Sequence, residues 1–458
     1  MKQFDAIIIG TGQAGPSLAG RFSEAGMTVA IIERGRFGGT CVNTGCIPTK
    51  TMVASAYAAH VARRGEEYGF SVNGDVRVDM KHVKARKDAV SGRSNKGVEG
   101  WLRGLRNCTV IQGHARFQSP HAVAVNEEIF HSERIFINVG GRAAVPEMPG
   151  IRDVAFLTNS SMMDVDFLPE HLIVVGGSYV GLEFAQMYRR FGSEVTIVEM
   201  QSRLIGREDD DLSQAVREIL EVEGIKVRLN AKCISLAKHR AGIAAHLTCE
   251  EGVPEVIGTH LLLAVGRVPN TSDLGLDLAG VTIDERGYII VDDQLQTNVA
   301  GIWALGDCNG RGAFTHTAYN DYEIVADNLF KSDHRRVSDR IQAYALYIDP
   351  PLGRCGMTEA EIRKSGRRAL IVRYPMSRVS RAYEKGETHG LMKICVDAET
   401  KQILGAAILG VGGDEVIHVL LDAMYAKAPY TVIQRAMHIH PTVAEYLPTI
   451  LAMLEPLT

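Results

Sequence analysis

The sequence predicts an α/β fold built on two copies of one strand–turn–helix–strand plan, and three observations carry this expectation. At 458 residues, the chain exceeds what one hydrophobic core ordinarily organises, so two or three domains are expected. FDAIIIGTGQAGPSLAGRFSEAGMTVAIIER (4–34) and HLIVVGGSYVGLEFAQMYRRFGSEVTIVEM (171–200) run in one register. Gly10 stands 16 residues before Gly26 and 23 before Glu33, and Gly176 stands 16 before Gly192 and 23 before Glu199. Each copy also closes alike, with IFINVGGRAAVP (135–146) and LLLAVGRVPN (261–270) running from a strand into glycine and proline.

Each part of the repeated plan has a physical reason. The apolar runs are continuous rather than alternating, as expected of strands buried on both faces. The first glycine of each turn permits the tight bend, the second lets backbone approach a pyrophosphate, and the third lets helix and strand pack closely. The helix N-terminus beyond them favours negative charge. A carboxylate about 20 residues later suits a ribose hydroxyl. In the first copy these residues are Gly10, Gly12, Gly15 and Glu33. In the second they are Gly176, Ser178, Gly181 and Glu199, with serine standing at the middle position. Two Rossmann-like units are therefore expected, binding two dinucleotides or one dinucleotide and one flavin. A third glycine–acid signal, GIWALGDCNG (301–310), ends a strand at Gly306-Asp307.

Composition narrows the class. Apolar residues make up 46% and charged residues 23%, the profile of a soluble globular protein. A net charge of −4 gives no electrostatic reason to expect nucleic acid or an anionic membrane as partner. No apolar run approaches the ~20 residues of a bilayer span. MKQFDAIIIG enters a strand after one lysine without a leader pattern, so a cytoplasmic location is expected. The eight cysteines are Cys41, Cys46, Cys108, Cys233, Cys249, Cys308, Cys355 and Cys395, of which only the first two are close in sequence. In a reducing compartment such a pair points to catalysis or metal binding rather than a staple.

The whole chain resembles the flavoprotein disulfide reductases, the group containing dihydrolipoamide dehydrogenase, glutathione reductase and mercuric reductase. The matching stretches are GTGQAG with Glu33, GGTCVNTGCIPTK, GGSYVGLE, AVGRVPN, ALGDC, DPPLGRCGMTE and HIHPTVAE, in family order. The resemblance implies two Rossmann-like dinucleotide-binding domains followed by an α+β dimerisation domain. An FAD-binding part would cover 1–145, an NAD(P)-binding domain 146–266, a returning FAD-binding part 267–339 and the homodimer interface 340–458. Asp307 would bond the flavin's ribityl chain, with Thr40 and Gly266 also at cofactor positions. The segment DEVIHVLLDAMYAKAP (414–429) suits the last domain, its apolar residues recurring at helical spacing.

Three readings of Cys41 and Cys46 differ in what they require elsewhere. Zinc needs further ligands at compatible spacing, and the sequence offers only single cysteines and His438/His440. A structural disulfide closing so short a loop removes little chain entropy. A redox pair fits the flanks, since Pro48 and Lys50 follow at a helix start, where the dipole and nearby cations favour a thiolate. The resemblance makes Cys46 the flavin-facing thiol in charge-transfer contact and Cys41 the outer thiol exchanging with substrate. It also pairs Lys50 with Glu183, sets Tyr179 over the nicotinamide pocket, and makes His440–Glu445 a proton-handling dyad reaching Cys41 across the dimer interface. Cys308 is expected to be packed rather than reactive.

The resulting expectation is a two-electron path from NADH through FAD and the Cys41–Cys46 disulfide to a small or carrier-bound disulfide, or the reverse as in dihydrolipoamide dehydrogenase. Glu199 favours NAD over NADP, although Arg203 and Arg207 follow it closely. A reductase of mercuric ion or a reactive oxidant is the alternative reading. The ending LEPLT lacks the C-terminal cysteine pair of mercuric reductases, and no metal-binding extension precedes the first strand. A nucleotide-binding redox sensor without catalysis is a third reading. No resident metal is expected.

Overall fold

The computed structural model describes residues 2–232, 234–248 and 254–457. Cys233 and Cys249 lie outside the described residues.

The first glycine unit forms a five-stranded parallel sheet in the order Ile302–Ala304, Ile135–Ile137, Ala6–Ile9, Val29–Glu33, Cys108–Gln112. The central strand AIII is fully buried, as its uninterrupted apolar run requires. The edge strand Ile302–Ala304 arrives from residues far downstream and ends at the Gly306-Asp307 turn. A second parallel sheet of four strands takes the order Lys226–Arg228, Glu194–Val198, His171–Val175, His260–Leu263. The two closing segments meet each other: Gly141–Ala143 pairs antiparallel with Arg267–Pro269, so the chain leaves and re-enters the first unit through one two-stranded ribbon.

The third unit is a six-stranded antiparallel sheet from Ala343–Leu346 to Glu455–Pro456, with the helix Gly413–Tyr425 packed on it. That helix stops four residues short of the apolar pattern's end, because Lys427 turns to φ 51° and breaks the helical run. The architecture is thus α/β with two Rossmann-like units and a C-terminal α+β unit.

Charge pairs join the second and third units. Lys393, 1% exposed, meets Asp209, Asp211 and Glu359 at 2.8–2.9 Å. Asp209 also accepts the backbone N–H groups of Glu359 and Ala360. Arg373 also pairs with Asp211 and Glu359, so removing the lysine would chiefly leave the buried Asp209 without its cation at this joint between the units.

Candidate active site

The two glycine turns share one local geometry, but only the first, through Gly10 and Gly12, lines the main cavity; Gly176, Ser178, Gly181 and Glu199 lie off its wall. Gly10 (φ +105°) and Gly176 (φ +113°) adopt backbone that side chains disfavour, and a Cβ at either would lie 2.3 or 2.4 Å from a carbonyl, of Asn138 or Ala264. Gly15 and Gly181 press against the carbonyls of Gly10 and Gly176, the first glycines of their turns, where a Cβ would come within 2.3 and 2.1 Å. Gly12 differs, since a Cβ there would meet Asn138 less tightly, its side-chain oxygen at 3.0 Å and its carbonyl at 3.6 Å. Its backbone is open to the cavity, as the approach of a pyrophosphate requires.

That cavity has a volume of about 1100 Å³ and runs from the first glycine turn to the third unit. Gly10, Gly12, Glu33, Thr40, Cys41, Cys46, Lys50, Asp307, Tyr179 and Glu183 line it. Glu33 Oε2 accepts the backbone N–H of Thr11 at 3.0 Å and its hydroxyl at 2.6 Å, while Oε1 accepts the N–H of Gly35. Asp307 lies 3.5 Å from Arg267, whose guanidinium also reaches Thr40 at 3.4 Å. Burial raises the Asp307 pKa, with Arg267 opposing it. An open glycine backbone, the Glu33 carboxylate and the half-buried Asp307 suit FAD along this wall.

In the second unit, Glu199 repeats the geometry of Glu33. Its Oε2 accepts the N–H of Gly177 at 2.6 Å and its Oε1 that of Gln201 at 2.8 Å. Ser178 is exposed at the N-cap of helix Tyr179–Phe191 and makes no side-chain cap. Gly266 is exposed at φ +121° and lies off the cavity wall, its carbonyl accepting the N–H of Ala144. Arg203 is held by Asp210 and the carbonyl of Gly206.

The cysteine pair sits where the units converge. Cys46 opens the helix Cys46–Arg63 and is exposed to the cavity; Cys41, in the short helix Gly39–Asn43, is half-buried. Both are thiols here. A hydrogen bond from the Cys41 thiol lowers the Cys46 pKa to about 6, with Thr315 and Lys50 adding to the effect against burial. The same hydrogen bond and burial raise Cys41. One thiol therefore keeps the proton and the other carries the charge. Alkylation of the reduced protein by iodoacetamide is expected to follow Cys46, slow below and rapid above a midpoint near pH 6. A midpoint at the ordinary thiol value would contradict this polarisation.

Lys50 Nζ lies 2.7 Å from Glu183 Oε2 and 4.6 Å from the centre of the Tyr347 ring. Glu183 is 6% exposed, and its other oxygen accepts the Tyr347 N–H. The structure thus brings Lys50 and Glu183 together from segments 133 residues apart. His440 Nδ1 lies 2.9 Å from Glu445 Oε2. This dyad is on the surface, with His440 75% exposed, and it is absent from the wall of the cavity that holds Cys41. Met437 and Ile439 beside it are 99% and 81% exposed. His438 bonds only a nearby carbonyl. Cys308 is fully buried, as expected of a packed thiol.

Sequence reasoning missed several residues at this site. Thr315 lies 3.2 Å from Cys46 Sγ, Arg267 joins Asp307 to Thr40, and Asn138 ties the first glycine turn to Leu305. Arg267 and Asn138 carried a signal, being polar residues at the ends of otherwise apolar strands. Thr315 carried none. Among the described residues no cluster of three or more His, Cys, Asp or Glu side chains is arranged to hold a metal, and no helix is long and apolar enough to cross a membrane.

Comparison with known proteins agrees with this geometry. Residues 4–321 match the family model described as pyridine nucleotide-disulphide oxidoreductase, and residues 342–450 match its dimerisation domain. The chain is 36% identical to the probable pyridine nucleotide-disulfide oxidoreductase RclA of Escherichia coli (strain K12), covering 98% of both. It is 33% identical to a dihydrolipoyl dehydrogenase of Thermus scotoductus, over 98% of this chain and 96% of that one. With a mercuric reductase of Streptomyces lividans it shares 31% identity, over 97% and 94%. Among solved structures, the Cu(II) complex of the HOCl-induced flavoprotein disulfide reductase RclA from E. coli superposes with a TM-score of 0.90 at 34% identity, over 99% of this chain and 100% of that one.

Proposed function

The chain belongs to the pyridine nucleotide-disulphide oxidoreductases and is an FAD-dependent enzyme using NAD(P)H, and from that premise we propose that it reduces a small or carrier-bound disulfide with electrons from NADH. The observation that supports this most is the polarised cysteine pair lying in one cavity with both the first glycine turn and the Lys50–Glu183 pair. Gly10, Gly12, Glu33 and Asp307 would hold FAD, which would supply a two-electron relay between NADH and the Cys41–Cys46 disulfide.

The chain's own groups do the rest. Cys41, as thiolate, attacks one sulfur of the substrate disulfide, and the first substrate thiol leaves with a proton. Cys46 then attacks Cys41, which restores the Cys41–Cys46 bond and releases the second thiol with another proton. His440, oriented by Glu445, takes the Cys41 proton and returns it to the leaving thiolate. In a homodimer with a two-fold axis, the exposed dyad of one protomer serves the Cys41 of its partner. Lys50 and Glu183, paired on the cavity wall, would hold the redox-active end of the flavin.

NADH is the favoured donor. Glu199 would face a 2′-phosphate directly, and Arg203 is already engaged by Asp210. A second reading has its own support: Cys46 is exposed, and the structurally similar RclA was solved as a Cu(II) complex. In that reading the two thiolates take a soft metal ion as substrate.

Steady-state turnover separates these. Lipoamide-dependent oxidation of NADH, with NADPH at least about tenfold poorer in kcat/KM, is the result the disulfide reading expects. Turnover with Cu(II) or mercuric ion and none with lipoamide would replace it by the metal reading.

A further inference from the structure

The turn that carries Asp307 is held from behind by one buried carboxylate. Gly306 opens this turn and Asn309 closes it. The backbone N–H of Gly306 donates to Asp321 Oδ2 at 2.8 Å. Asn309 Nδ2 donates to the same oxygen at 3.0 Å and to the Ala304 carbonyl at 2.9 Å. Asp307 stands between these two anchors and lines the cavity, whereas Asp321 lies off the cavity wall and is 2% exposed.

The other oxygen of this carboxylate, Oδ1, accepts a hydrogen bond from Arg340 Nη2. Arg340 Nε donates to Asn320 Oδ1 at 2.9 Å, and its Nη1 is buried without a hydrogen-bond partner among the described residues. Both charges are out of water, so each depends on the other. Arg340 comes three residues before the strand Ala343–Leu346, the first of the third unit. The pair therefore ties the Asp307 turn to the start of that unit.

Asp321 stands on the helix Thr315–Phe330. Six residues before it, about 9 Å along the axis, Thr315 lies against Cys46 Sγ. Between them Ala318 presses on the turn, and a Cβ at Gly306 would lie 3.2 Å from its methyl carbon. One helix thus touches the flavin-facing thiol at its first residue and grips the Asp307 turn further along. A buried ion pair adds little to stability over an apolar pair of the same size. What this one supplies is a fixed register between three segments.

We infer that Asp321, held by Arg340, is a positioning residue for the flavin: it sets the Asp307 turn and, through its own helix, the place of Cys46 relative to that turn. This rests on the reading that Asp307 bonds the flavin's ribityl chain.

The rate of FAD release from the diluted holoenzyme, followed by the rise in flavin fluorescence, tests the inference. Asp321→Asn keeps the side chain's shape and removes its charge, which weakens the bonds it accepts. Release is expected to quicken about tenfold, the lower range for hydrogen bonds to a charged acceptor. The thiolate–flavin charge-transfer absorbance of the NADH-reduced holoenzyme should fall alongside. Arg340→Gln leaves Asp321 on the turn and should quicken release by less. Val396→Ala opens a cavity at a fully buried position of the third unit, so it lowers the melting temperature. FAD release in that variant should stay within about twofold of wild type.

Release within about twofold of wild type in Asp321→Asn, or an equal quickening in Val396→Ala, overturns the inference. If Asp321→Asn fails to fold, Arg340→Gln decides, and unchanged release there overturns it. Faster release with an unaltered charge-transfer band overturns the part that concerns Cys46. Asp307→Asn separates the inference from the reading beneath it. Unchanged release in that variant overturns the role of Asp307, and the inference with it. Faster release there, beside unchanged release in Asp321→Asn, overturns the inference alone.

Discussion

Cys41→Ser is expected to lower disulfide reduction on the order of 10⁴-fold or more while NADH still reduces the enzyme's flavin. The serine hydroxyl cannot exchange with a disulfide, so the covalent path to substrate is lost outright. Cys46 keeps Thr315 and Lys50 as stabilising neighbours, so its thiolate should persist, although without the hydrogen bond from Cys41 its titration should move upward from about 6. Anaerobic titration with NADH, followed through the visible spectrum, checks the first half, and turnover with the disulfide substrate checks the second. Retained turnover would mean that electrons leave the flavin without passing through the pair, as in a transhydrogenase.

The second large effect concerns the dyad. His440→Gln or Glu445→Ala should cost about 10²–10⁴-fold in kcat, the usual contribution of a positioned acid–base group. Where the histidine acts is testable by mixing two inactive homodimers, Cys41→Ser and His440→Gln, and letting subunits exchange. If each site takes Cys41 from one protomer and His440 from the other, every hybrid dimer holds one intact site. Statistical exchange should then restore about a quarter of wild-type activity. If the dyad served its own protomer's cysteine, every site would lack one group and the mixture would stay inactive. The exposure of His440, Met437 and Ile439 and their absence from the cavity wall favour the first outcome.

What the sequence made legible follows from how local each constraint is. Gly10, Gly15, Gly176 and Gly181 each answer to a backbone contact within their own turn or the facing strand, so the repeat shows them directly. His440 and Glu445 lie five residues apart, and their 2.9 Å contact is a local event as well. Lys50 and Glu183 could be paired only through resemblance, because nothing in either segment names the other. Thr315 stayed hidden because its contact with Cys46 spans 269 residues and a threonine at a helix start has an ordinary explanation in capping. The charges that fasten Gly206–Asp211 to the third unit were hidden for a similar reason: a run of acidic residues reads as solvated surface until a buried Lys393 is found facing it.

The edge strand Ile302–Ala304 has a consequence for synthesis on the ribosome. By about residue 270 every strand of the second parallel sheet has been made, and that unit can close on itself. The first sheet, begun almost 300 residues earlier than its last strand, still presents Ile135–Ile137 as a bare, wholly apolar edge at that moment. Such an edge is a template for pairing with another chain. The unit encoded first is therefore finished last, and Asp307 reaches its place in the cavity only with that late strand. A nascent chain stalled or truncated in this interval would carry a finished nucleotide fold beside an adhesive, half-built one.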